Sequence, residues 1–217
     1  TLLNALYQAV GETGTLMMPS FSGELTDPST WFKPPVPEER WDLIREEMPA
    51  FDPLRTPCSG MGFLPEVFRT EPGTVRSQHP VSSFTARGPN AARLVANHPL
   101  DQRFGPDSPL GELCKLDGKV LMIGAPYESL SLFHMTSYLV NPDPVYKQRS
   151  PMVIDGEKVW VEFDDRTFSW RLFTPPVEFL VEKSVAKTGL IGAAHALLLP
   201  AAQSVDLVVE WRKEHNV

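Results

Sequence analysis

Two histidines in this sequence sit where imidazole chemistry is feasible. His79 lies in V-R-S-Q-H-P-V-S-S-F-T-A-R-G (Val75 to Gly88), among hydroxyls and directly ahead of Pro80, which fixes the local backbone. A histidine so held can act as a general base near neutral pH. His134 ends V-L-M-I-G-A-P-Y-E-S-L-S-L-F-H (Val120 to His134), where an apolar strand runs into a Gly-Ala-Pro turn and then a helix that also carries Ser131. Together the two stretches suggest an active site. The other three histidines read differently: His98 in N-H-P-L and His215 near the end as solvated, His195 in an apolar strand as a satisfied core residue. None of the five has metal-set spacing, and no metal is expected.

Several chemistries are excluded by what is missing. The sequence has no G-x-S-x-G elbow, no H-E-x-x-H and no Walker-type loop. Gly60-Met61-Gly62 lacks the third glycine of a dinucleotide fingerprint and reads as a turn. The two cysteines, Cys58 and Cys114, form no C-x-x-C pair. At 217 residues with 42% hydrophobic and 22% charged content, the chain suits one globular domain. No apolar run approaches the length needed to span a bilayer, and neither membrane nor nucleic acid is an expected partner, since the net charge is −7. That acidity suits a cationic small substrate, or simply solubility. The expected location is a reducing cytoplasm.

The elements that must position these residues follow an α/β order. Leu2, Leu3, Leu6, Tyr7 and Val10 mark one face of a helix that starts at residue 1 with no cap before it, so that upstream residues are expected; Thr15 to Met18 is a short strand. Positions 19–59 then form a long Pro-rich loop insertion holding eight of the 22 prolines. Its aromatics and acids, among them Trp31, Trp41, Phe51, Asp27 and Asp52, either offer an acidic, aromatic wall to a ligand or pin the loop to the core. Further on, Gly62 to Arg69 and Asn90 to Asn97 read as short helices, and Ser108-Pro109 as an N-cap followed by a first-turn proline. A strand at Lys119 to Ile123, a hairpin turning at Asp155-Gly156, a helix at Phe179 to Ala186, a strand at Ile191 to Leu199 and a helix at Ala201 to His215 complete the pattern.

Several ordered motifs together give a family resemblance. S-Q-H-P-V-S-S-F-T-A-R-G, D-S-P-L-G-E-L (Asp107 to Leu113), L-D-G-K-V-L-M-I-G-A-P (Leu116 to Pro126) and S-L-F-H (Ser131 to His134) resemble the aminoglycoside 3-N-acetyltransferases. F-D-P (Phe51 to Pro53) and G-M-G-F-L-P-E-V-F-R (Gly60 to Arg69) extend the resemblance over nearly the whole chain. It implies a three-layer α/β/α domain with a central mixed sheet, lacking here an N-terminal coenzyme-binding segment. It also implies acetyl transfer from acetyl-CoA to an amine, typically the 3-amino group of an aminoglycoside, by direct attack, and so a role in antibiotic resistance.

Under that resemblance His79 matches the base and Glu66 the carboxylate that orients it, while Ser131 stands where the family usually has a threonine hydroxyl for the thioester oxygen. His134, Glu128, Asp52 and Trp31 are the candidate substrate contacts. Ser82, Ser83 and Phe84 are the candidate coenzyme contacts, where hydroxyls and backbone amides follow His79. One departure concerns Ser137, at a position where the family commonly carries a glutamate able to hold a substrate ammonium. Three alternatives stay open: a different acceptor amine, a non-catalytic small-molecule-binding homologue, and a hydrolase with Ser131 as nucleophile.

Overall fold

The structure is a computed structural model that describes residues 1–140, 144–167 and 173–217. In chain order it begins α1 (Leu2–Val10), β1 (Leu16–Pro19), α2 (Trp41–Glu47), α3 (Phe63–Thr70), β2 (Val75–Arg76) and β3 (Phe84–Arg87). Then come α4 (Ala91–Val95), α5 (Pro109–Lys115), β4 (Lys119–Ile123), two 3₁₀ turns (Tyr127–Ser129 and Ser131–Met135) and α6 (Thr136–Leu139). The chain ends with β5 (Val145–Ile154), β6 (Glu157–Arg166), α7 (Thr174–Glu182), β7 (Lys187–Ile191), β8 (Ala194–Pro200) and α8 (Ala201–His215). The chain divides into two compact units, Thr1–Arg103 with Tyr146–Asp165, and Phe104–Val145 with Arg166–Val217.

The mixed α/β composition agrees with expectation, but the strands do not form one central mixed sheet among the described residues. They form an antiparallel sheet β1-β3-β2, an antiparallel sheet β4-β8-β7 and the two-stranded ribbon β5-β6. The connections account for part of this. Gly192-Ala193 between β7 and β8, and Asp155-Gly156 between β5 and β6, are too short for anything but a hairpin, because parallel neighbours need a crossover of about a dozen residues. Asp155 and Gly156 both have positive φ, 52° and 85°, as a tight hairpin turn requires.

In the first unit, α1 and α3 bury Leu3 and Phe68 against Met18 of β1, with Leu6, Tyr7, Leu16, Leu64 and Val67 around them. Thr1 caps α1: its side chain accepts a bond from Asn4 N, so a capping residue is present after all. Gly88 (φ 126°) lies so close to Gly14 O and Thr15 that a Cβ there would clash with backbone. The stretch expected to be irregular contains α2, and Leu25, Met48 and Phe51 form a second core cluster with Trp31, Ile44, Met152 and Trp160. Asp27, 2% exposed, clamps that stretch by accepting from Arg45 Nε (3.0 Å), Arg45 Nη2 (2.8 Å) and Ser29 N (3.0 Å). Burial alone would raise the Asp27 pKa, but these bonds prevail and hold it at about 2.

In the second unit, α8 packs on β8 with Ala201, Val205 and Val208 buried. Ser108 caps α5 as its sequence predicts, its Oγ accepting from Leu110 N at 3.2 Å. Ser108→Ala is expected to cost about 1 kcal/mol, read as a lowered urea midpoint; an unchanged midpoint would mean the cap contributes nothing. No helix among the described residues is long and apolar enough to cross a membrane.

Candidate active site

His79 is fully buried, at 0% exposure, in the turn between β2 and β3. Its Nδ1 accepts from the backbone amides of Val81 (3.2 Å) and Ser82 (3.1 Å), so the ring proton belongs on Nε2, which donates to Leu100 O at 3.2 Å. The ring lies 4.7 Å from that of His98 and 5.8 Å from that of Phe163. His98, expected to be solvated, is itself buried; Ser77 Oγ meets its Nδ1 at 2.8 Å and Arg103 O its Nε2 at 2.9 Å. Burial pushes the His79 pKa well below 6.5, helped by the neighbouring His98, and burial lowers His98 to about 4. His79 is therefore neutral at pH 7, as a base must be, but both its nitrogens are bonded to backbone and neither faces solvent. As folded, neither ring nitrogen is placed to take a substrate proton, the role the resemblance implies for His79.

The expected Glu66–His79 bond is not formed. Glu66 sits in the first turn of α3, where Arg69, one turn on, donates to both its oxygens (2.9 and 2.5 Å) and Cys58 N adds a third bond (2.8 Å). Arg69 and the Cys58 amide hold the Glu66 pKa down at about 2. Glu66 thus ties α3 to the preceding loop. Glu66→Gln is expected to cost about 1–3 kcal/mol of stability through the weakened Arg69 pair, read by urea unfolding; loss of turnover at full stability would instead restore a catalytic role.

The three expected coenzyme contacts lie in the core. Ser82, Ser83 and Phe84 are buried (3%, 0% and 2% exposed). Ser83 Oγ donates to Ser20 O (2.7 Å) and accepts from Arg76 Nε (2.8 Å), while Phe84 N is held by Ser77 Oγ (2.9 Å). Arg76, a buried cation that sequence reading did not single out, also donates to Thr56 O and to Ser20 O. Burial brings its pKa down to about 10. In the Pro-rich stretch Asp52 is a turn former, accepting from Leu54 N (2.8 Å), and Trp31 is anchored through its indole N–H to Thr26 Oγ1 (2.9 Å). Of the two readings of that stretch, Trp31 follows the one that pins it to the core.

The second unit holds Glu128, Ser131 and His134 together on the two consecutive 3₁₀ turns. Ser131 and His134 are three residues apart in one of them, where positions i and i+3 eclipse, so both side chains leave the same side. Both residues are half-buried. The His134 ring is stacked on Phe104 (4.9 Å, 18°) and edge-on to Phe173 (4.8 Å, 65°), which fixes its plane. Glu128 Oε1 accepts from Thr174 Oγ1 at the start of α7 (3.1 Å). Ser137 is buried, and its Oγ, like Thr136 Oγ1, accepts from Arg212 Nη1 (3.0 and 2.9 Å). A cation thus occupies the neighbourhood where the resemblance led us to look for a carboxylate. Among the described residues no cluster of His, Cys, Asp and Glu is placed to hold a metal.

The arrangement supplies an imidazole, a hydroxyl and aromatic walls, a set suited to deprotonating an amine and stabilising an oxyanion. Comparison with known proteins points the same way. The family model for aminoglycoside 3-N-acetyltransferase matches residues 1–213. The chain is 37% identical to the SPbeta prophage-derived aminoglycoside N(3')-acetyltransferase-like protein YokD of Bacillus subtilis, over 97% of this chain and 78% of that protein. The crystal structure of YokD superposes with a TM-score of 0.92 over 97% of this chain and 78% of that one. Aminoglycoside N(3)-acetyltransferase VII of Streptomyces paromomycinus is 36% identical over 99% of this chain and 79% of the enzyme. Two solved structures with ligands are also similar. AAC-IIIb in a binary complex with CoASH is 31% identical, with a TM-score of 0.85 and 99% and 82% of the two chains covered. AAC-VIa bound to sisomicin is 28% identical, with a TM-score of 0.83 and 99% and 84% covered. The chain belongs to the aminoglycoside 3-N-acetyltransferase family and is an acyltransferase.

Proposed function

We propose that this chain transfers the acetyl group of acetyl-CoA to the 3-amino group of an aminoglycoside, in the cytoplasm, with His134 as general base and Ser131 as donor to the thioester oxygen. The observation that carries the reading is the family match along residues 1–213. Support for the two ligands comes from AAC-IIIb, solved with CoASH, and AAC-VIa, solved with sisomicin. For the base, the argument is accessibility. A base needs a ring nitrogen within reach of the substrate proton. His79 has both nitrogens on backbone partners in the core, whereas His134 is half-buried, on the same side of a 3₁₀ turn as Ser131.

In this mechanism the neutral amine attacks the thioester carbonyl carbon. The C–N bond forms, the carbonyl oxygen gains negative charge, and Ser131 Oγ–H donates to it. His134 takes the proton that the amine sheds. Collapse of the adduct breaks the C–S bond, and the proton passes from the imidazolium to the departing coenzyme thiolate. Ser131→Ala is expected to lower kcat about a hundredfold with little change in either KM, measured by thiol release; an unchanged kcat would remove Ser131 from the mechanism. A second reading, a different acceptor amine, is favoured by one observation: Ser137, where the resemblance leads to a glutamate, brings no carboxylate for a substrate ammonium and is bonded to Arg212 Nη1. Steady-state rates with aminoglycosides and with monoamines separate the two.

A further inference from the structure

Residues Ser131–Met135 form a five-residue 3₁₀ turn, and at Thr136 the chain passes directly into α6. Runs of 3₁₀ helix beyond three or four residues are uncommon, because their hydrogen-bond geometry is poor. What the turn does for the site is geometric. At three residues per turn Ser131 and His134 eclipse, whereas in an α-helix the same pair would stand about 60° apart. The turn has no side-chain cap at its start, where Leu130 precedes it. Of the other histidines in the second unit, His195 is exposed on β8, not the satisfied core residue its apolar neighbours imply, and His215 is exposed on α8. His134 is the half-buried histidine of this unit, and its placement depends on what holds the turn.

The support comes from α8. Arg212 Nη1 donates to Thr136 Oγ1 (2.9 Å) and to Ser137 Oγ (3.0 Å), on the first two residues of α6. Thr136 Oγ1 in turn donates to Phe133 O (2.7 Å), the carbonyl directly before His134. Nε of the same guanidinium donates to Val217 O (2.9 Å), which fixes the plane of the fork. Thr136 and Ser137 are buried and Arg212 is half-buried, so these charge-assisted bonds are shielded from water and stronger than neutral ones. Arg212 also lines a cavity of about 20 Å³ with Phe133, Thr136 and Phe173. Phe133 is edge-on to Phe173 (5.8 Å), the ring that His134 meets edge-on at 4.8 Å. Arg212 therefore acts on His134 from two directions, through the Phe133 carbonyl and through the packing of Phe133 on Phe173. We propose that Arg212 is a positioning residue for acetyl transfer: from α8 it fixes the junction of the 3₁₀ turn with α6 and so keeps Ser131 and His134 on one side. This rests on the acetyltransfer reading above, in which those two side chains act on one adduct.

The test compares Arg212→Met, Arg212→Lys and Thr136→Val with the wild-type chain in three measurements. These are urea unfolding, thiol release with acetyl-CoA and sisomicin, and NMR of the His134 ring, whose resonances carry the ring currents of Phe104 and Phe173. Arg212→Met should lower kcat per folded molecule about 10- to 100-fold with both KM values unchanged, because a misplacement of about 1 Å can cost that much. It should also move the His134 signals toward their unfolded-chain values. Arg212→Lys, a cation without the planar fork, should fall between it and wild type. Thr136→Val removes the hydroxyl that links the guanidinium to Phe133 O, and it tests the same brace should Arg212→Met fail to fold. Its kcat should fall too, and the double variant should lose less than the product of the two single losses. Folded variants that keep the wild-type kcat, or that lose kcat while the His134 signals stay fixed, would overturn the positioning role. If the wild-type chain transfers no acetyl group but the His134 signals move on substitution, the transferase reading falls while the hold on His134 stands. If neither happens, both fall.

Discussion

Replacing His134 with alanine should lower kcat for acetyl transfer by about 10²- to 10⁴-fold, with acetyl-CoA still bound. The size follows from the chemistry, because the attacking nitrogen gains positive charge as the C–N bond forms, and the adduct returns to reactants unless a base takes that proton. Phe104 and Phe173 fix the imidazole plane, so truncation leaves an apolar slot that no other side chain of the same turn fills with a base. His79→Gln is the control. It should weaken the fold by removing a buried hydrogen-bonded ring, yet the fraction that stays folded should keep its turnover. Full turnover in His134→Ala, with folded His79→Gln inactive, would return the base to His79.

The second large effect concerns pH and stability. His79 and His98 are neutral in the folded protein, with pKa values well below 6.5 and at about 4, whereas both titrate near 6.5 in the unfolded chain. Between these limits the unfolded state binds more protons, so stability rises with pH across that window and is lost as pH falls below 6.5. His98 alone accounts for about 3 kcal/mol of loss between pH 6.5 and 4, with His79 adding in the same direction. The carboxylates act lower, since Asp27 and Glu66, both at about 2 when folded, destabilise the protein only once pH drops through the ordinary carboxylate range. Urea midpoints from pH 7.5 to 5 should therefore fall before any carboxylate effect begins, and His98→Gln should flatten the slope. A midpoint constant over that range in the wild type would contradict the buried, neutral histidine pair.

Much of the local structure was legible because its signals are local. Ser108-Pro109 announces a capped helix, Asp155-Gly156 a hairpin, and the spacing of Leu2, Leu3, Leu6 and Val10 a helix face, and each forms as read. Helix α7 starts at Thr174, earlier than the apolar run at Phe179 suggests, because the pair Pro175-Pro176 serves its first turn. Strand β7 went unread since all five of its residues are exposed and leave no apolar period. Helix α2 was hidden among prolines that flank it without entering it.

The site was harder for a physical reason. A histidine followed by proline and two serines reads alike whether it serves chemistry or the core, and what decides is non-local. Leu100 O and the His98 ring reach His79 only through tertiary folding. The same holds for Glu66, whose partner Arg69 is visible three residues on, but whose bond to Cys58 N depends on a loop. Ser131 and His134 were legible as a pair because three-residue spacing on a helical turn is a local property.

The most direct test of the central claim is product analysis: sisomicin and acetyl-CoA incubated with the chain, followed by mass spectrometry and NMR of the drug. One acetyl group on the 3-amino nitrogen, with an equal amount of coenzyme thiol released, is the expected result. Unmodified sisomicin in the presence of chain that binds coenzyme A would contradict it.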